Sequence, residues 1–127
     1  MGNRQGDIAE AKFQVAALER GYTVSIPTKS SSYDFILDTG TRTVKVQVKS
    51  TVFKRKGAYR LRVTCGGKKN RHYAADQVDF IVGYVHPENA WYIVPLEAIE
   101  STDLPLYPHR ASSGKYERFR DAWNLLE

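Results

Sequence analysis

The sequence predicts an α/β fold, a mixed central β-sheet flanked by helices, in a single domain over residues 1–127. Three observations predict it. Residues 7–20 place apolar side chains at helical spacing. Val44-Lys45-Val46-Gln47-Val48-Lys49 alternates apolar and polar with a period of two, the pattern of a strand with one buried face. Asp79-Phe80-Ile81-Val82-Gly83-Tyr84-Val85 is nearly all apolar, as a strand covered on both sides requires.

In chain order, Ile8, Ala11, Val15 and Leu18 form the stripe expected to bury the first helix, and Gly21 is placed to end it. Asp7 and Glu10 have the spacing of a capping box. Residues 22–26 predict a strand stopped by Pro27, and the polar Ser30-Ser31-Ser32 loop leads into a second strand at 33–37. Gly40-Thr41 suits a two-residue hairpin loop that wants Gly first. That loop sets Leu37 opposite Val44, Phe35 opposite Val46, Tyr33 opposite Val48 and Asp34 opposite Gln47. A further strand is expected at 58–64, a loop at 66–72, and a strand at 91–94. Pro95 then opens a short helix at 96–100. A last helix from about Gly114, capped by Ser112 or Ser113, would carry Tyr116, Phe119, Trp123 and Leu126 on one stripe.

Composition excludes several classes. With 42% hydrophobic and 26% charged residues, the 127-residue chain reads as globular, with a core large enough to fold alone. No apolar run approaches the roughly 20 residues of a membrane span, and the first residues lack a signal peptide's apolar region. The single Cys65 permits no internal disulfide and agrees with a reducing, cytoplasmic setting. His72, His86 and His109 are scattered without metal-ligand spacing. The formal net charge is +5, and its distribution matters more than its size. Lys54, Arg55, Lys56, Arg60, Arg62, Lys68, Lys69 and Arg71 form a block without a single acid, the footprint of a polyanion-binding surface.

The hairpin carries the chemistry. Its polar face aligns Lys45, Gln47 and Lys49, with Asp34 across from Gln47. Phosphodiester hydrolysis needs a cation to offset charge on phosphorus and a group to position water. Magnesium takes oxygen ligands and retains several waters. Asp34 offers a carboxylate, Gln47 an amide oxygen and Val48 a backbone carbonyl, while Lys49 could position the attacking water. The bland alternative is a surface hairpin whose exposed face is merely polar.

Asp34 followed after a hairpin by Gln47-Val48-Lys49 resembles the PD-(D/E)XK nuclease motif, with Tyr33 at the place of the proline and Gln47 at the place of the second acid. Gly6-Asp7-Ile8-Ala9-Glu10-Ala11-Lys12 resembles the first helix of that superfamily, whose Glu often completes the metal site. Over nearly the whole chain the resemblance is to group I intron homing endonucleases of this fold and their free-standing bacterial relatives. It extends to Trp91-Tyr92-Ile93-Val94-Pro95 and a closing Tyr116 to Trp123 segment. Archaeal Holliday junction resolvases are similar at greater distance.

The resemblance implies a restriction-endonuclease-like core and a Mg2+-dependent DNA endonuclease, with Mn2+ as a substitute ion. Asp34, Gln47, Val48 and Glu10 would hold the metal, Lys49 would act on water, and the basic block would contact DNA phosphates. Cutting two strands needs two active sites, so a homodimer or tetramer is expected, located with DNA in the cytoplasm or nucleoid. The neutral Gln47 lowers the negative charge of such a site. A junction resolvase and a non-catalytic DNA-binding module of the same fold are the competing expectations.

Overall fold

The computed structural model describes residues 3–63 and 77–127. One α-helix, α1 (Arg4–Glu19), opens the chain. Eight strands follow among the described residues: β1 (Thr23–Ser25), β2 (Phe35–Asp38), β3 (Thr43–Thr51), β4 (Lys54–Arg55), β5 (Ala58–Arg62), β6 (Phe80–Val85), β7 (Ala90–Pro95) and β8 (Asp103–Leu106). They form a five-stranded sheet ordered β1-β2-β3-β6-β7 and a three-stranded sheet ordered β4-β5-β8. The large sheet is mixed, because β3 and β6 run parallel while its other pairs are antiparallel.

The predicted α/β class holds, with two layers packed on the mixed sheet. On one face α1 buries Ala9, Phe13 and Ala17 against Phe35, Leu37, Val46, Val48 and Val82. On the other, β5 and β8 contribute Tyr59, Leu61, Leu104 and Leu106, which pack against Ile81, Val85, Tyr92 and Val94. Among the described residues a single α-helix therefore flanks the sheet, and the small sheet covers the face where further helices were expected. Gly83 permits the layers to meet, since a Cβ there would lie 2.7 Å from a methyl of Leu61. The β4–β5 hairpin closes through Lys56 and Gly57, whose φ values of 55° and 81° suit a two-residue hairpin turn with both centres left-handed.

The helix differs from expectation in its start and its face. Asn3 is the N-cap, its side chain accepting from the N–H groups of Gln5 and Gly6 at 3.1 and 3.3 Å. Asp7 therefore lies inside the first turn, and the predicted capping box is not used. The stripe Ile8, Val15 and Leu18 is exposed, at 41, 54 and 53%. Two stripes compete on this helix, and the smaller Ala9/Phe13/Ala17 face wins because it allows the close approach that seats Phe13 against Phe35 and Trp123.

The C-terminal segment is not one helix but two 3-10 turns, Glu117–Phe119 and Trp123–Leu126. Tyr116 and Phe119 pack beneath the small sheet, whereas Trp123 and Leu126 pack beside α1. A continuous helix would have kept all four on one stripe. Here the chain wraps around the edge strand β7, bridging Arg120 to Tyr92, with the Asp121 N–H donating to the Trp91 carbonyl. Asp121 makes the bend at φ 54°. The expected helix at 96–100 is likewise a 3-10 turn, Leu96–Ala98. Strand β8 was not foreseen, because Pro105 argues against a strand; it lies at an edge, where a missing N–H is tolerated.

Candidate active site

The β2–β3 ladder has the predicted register from the turn to Phe35↔Val46. There it changes. The Asp34 N–H donates to the Val46 carbonyl at 2.9 Å, a residue short of the Gln47 partner that regular pairing would give. The backbone kinks, and Asp34 Oδ2 accepts the Val48 N–H at 2.8 Å. A side chain thus substitutes for the backbone partner at the end of the ladder. Tyr33 consequently leaves the ladder before Val48 and packs with the core on the small-sheet face.

Three of the expected residues share one electrostatic neighbourhood. Burial pushes the Glu10 carboxyl up to about 7; the Asp34 and Asp7 carboxylates add to the rise, and Lys49 opposes it. Burial also raises Asp34, against lowering by the Val48 N–H and by Lys49. Glu10 reaches this position because it follows the buried helix face, at i−3 from Phe13 and i−7 from Ala17. Gln47 and Lys49 lie half-buried on β3, two residues apart and hence on one face of the strand. Lys49 is the cross-strand neighbour of Gly83, under the small sheet.

Donor chemistry is compatible with a hard divalent cation. Glu10 and Asp34 offer carboxylate oxygens and Gln47 an amide oxygen, and Glu10, raised partly by the Asp34 carboxylate, gains from positive charge beside it. Among the described residues, no three His, Cys, Asp or Glu side chains gather into a metal cage. A cation held here would rely on two carboxylates, the Gln47 amide, a carbonyl such as that of Val48, and water.

The Glu10 shift has a sign that can be measured. Between pH 4.5 and about 7 the folded protein keeps a proton that the unfolded chain has lost, so stability falls as pH rises through that window. After discounting for its solvent-facing side, the effect is about 1–2 kcal/mol. Glu10→Gln should flatten this slope. Added Mg2+ should raise the Tm of the parent protein at pH 8 more than at pH 5.5, and leave that of Glu10→Gln nearly unmoved. Thermal melts at the two pH values check both.

The basic block is described in part. Lys68, Lys69 and Arg71, with Cys65 and His72, lie outside the described residues. Arg55, Arg60 and Arg62 meet at a cleft of about 230 Å³ on the outer side of the small sheet, beside the exposed Phe53. Lys54 lies over the Tyr59 ring, 5.5 Å from its centroid, and Lys56 sits in the turn. The block has no acid in sequence, but β8 brings one in. Asp103 Oδ2 lies 3.9 Å from Arg55 Nη2 and 4.0 Å from Arg60 Nη1, and Asp103 is the register partner of Arg62. Nothing in the sequence signals this contact, which depends on the unforeseen strand. Asp103→Asn should tighten duplex binding about 3–10-fold at low salt and steepen the salt dependence, read by fluorescence anisotropy at two ionic strengths. Unchanged affinity would place DNA elsewhere.

The fold and this arrangement define a nuclease of the restriction-endonuclease kind. The model of the PD-(D/E)XK endonuclease family matches residues 2–126, and the chain belongs to that family. Among solved structures it is similar to a bacterial homing endonuclease, I-Ssp6803I, with a TM-score of 0.80 and 28% sequence identity over 94% of this chain and 88% of that one. No curated protein matches. No helix among the described residues is long and apolar enough to cross a membrane.

Proposed function

We propose that this chain is a magnesium-dependent DNA endonuclease of the homing type, acting as one catalytic domain alongside DNA in the cytoplasm or nucleoid. The observation that carries the reading is the convergence of Glu10, Asp34 and Lys49 at the kinked end of the β2–β3 ladder. Glu10, Asp34, Gln47 and the Val48 carbonyl would hold Mg2+, with Mn2+ as a substitute; when bound, the ion supplies charge neutralisation on the phosphoryl oxygens and acidifies water. Lys49 positions the attacking water and offsets phosphate charge. Water oxygen bonds to phosphorus, one P–O bond to a sugar breaks, and the departing oxygen takes up a proton.

Asp34 holds β3 at the Val48 amide, so the same carboxyl serves the backbone and the site. Arg55, Arg60 and Arg62, with Lys54 and Lys56, provide phosphate contacts along the small sheet. Lys68, Lys69 and Arg71 extend that block in sequence.

A cleavage assay on a randomised duplex library and on a four-way junction, with and without Mg2+, tests the reading. Magnesium-dependent cutting of a restricted set of linear duplexes is expected. Preference for the junction would indicate a resolvase. Salt-sensitive binding without cutting, indifferent to Asp34→Ala, would indicate a non-catalytic binding module.

A further inference from the structure

The exposed stripe of α1 is the largest departure of this molecule from what its sequence predicts. Ile8, Ala11, Val15 and Leu18 are spaced 3, 4 and 3 residues apart, the a/d spacing of a coiled-coil seam, and they lie opposite the buried Ala9/Phe13/Ala17 face. Val15 and Leu18 are each more than half exposed. Alongside runs an apolar cleft of about 410 Å³ between α1 and the β6–β7 turn, with Ala16 and Trp91 in its walls and Lys12 and Glu19 on its rim. A helix with apolar seams on two opposite sides is built to be covered twice.

We propose that this seam pairs with a second copy of the same chain, the two α1 helices running antiparallel about a two-fold axis. Charge selects the occupant. Lys12 and Glu19 occupy the same heptad position one heptad apart, and in an antiparallel pair such positions face one another across the axis. When Val15 of one copy packs on Leu18 of the second, Lys12 of each copy comes opposite Glu19 of the other. The surface is then complementary to itself, as a two-fold interface must be. Lys12 is already braced for this role: its Nζ donates to Tyr84 Oη at 3.2 Å and lies 5.3 Å from that ring's centroid. Glu10 is on the far flank of the helix, so pairing leaves the candidate active site open. The pairing does not rest on the nuclease reading.

Analytical ultracentrifugation of the full chain without DNA, from about 1 to 100 μM, tests the proposal. The parent chain should associate within that range. Leu18→Glu, at an exposed position that the fold does not need, should weaken association at least about 30-fold with an unchanged circular dichroism spectrum. Lys12→Glu and Glu19→Lys should each weaken it several-fold, and the combined K12E/E19K chain should recover most of the loss, the mark of a direct pair. A parent chain that stays monomeric throughout overturns the proposal. So does an assembly indifferent to Leu18→Glu, or a double variant whose losses simply add.

Discussion

Asp34→Asn should abolish magnesium-supported DNA cleavage, lowering its rate by about 10³-fold or more, while leaving the protein folded. The two halves of this expectation separate because Asp34 has two roles. Its Oδ2 accepts the Val48 N–H, a task that an Asn carbonyl oxygen can perform. Its negative charge, which Asn cannot replace, raises Glu10 and is felt by Lys49. Asp34→Ala removes both. It leaves a part-buried amide without its acceptor, at a cost of about 1–3 kcal/mol. Melting temperatures should therefore rank the parent and Asp34→Asn close together and Asp34→Ala below them, with both variants inactive. Retained cleavage in Asp34→Asn would remove this carboxylate from the metal site.

Lys49→Met should lower the cleavage rate by about 10²–10⁴-fold and change DNA affinity by less than about 3-fold. Methionine keeps the unbranched stem that packs under the small sheet and removes the amine. Lys49→Arg should not restore activity, since a planar guanidinium is bulkier beside the Gly83–Leu61 contact and presents its donors in a fixed fork. Single-turnover rates with affinities measured in EDTA separate the two effects. If binding falls as much as rate, Lys49 serves the phosphate backbone rather than the reacting water.

The hairpin was legible in the sequence because one face of β2 and β3 is buried, and a slip of one residue would have turned every valine outward. The all-buried β6 was legible for the complementary reason that neither of its faces meets solvent. Glu10 emerged from resemblance to a family, since periodicity favoured the wrong helix stripe. Ile8, Val15 and Leu18 are larger than the two alanines that actually approach the sheet. The kink at Asp34 could not be read, because a side chain replacing a backbone partner leaves no trace in alternation. Asp103 escaped for a different reason: its meeting with Arg55 and Arg60 depends on a strand that Pro105 disguises.

The last residues are tied to the first hairpin. Arg42, in the β2–β3 connection, donates from Nη2 to the Leu125 carbonyl at 2.6 Å and from Nε to the Leu126 carbonyl at 3.3 Å, and Tyr22 Oη donates to Glu127 Oε2 at 2.5 Å. Residues 125–127 are synthesised after every strand of both sheets. On the ribosome, β2 and β3 are thus complete well before the segment that holds Arg42 in their connection is available. The turn end of the hairpin gains these contacts only once that segment has emerged.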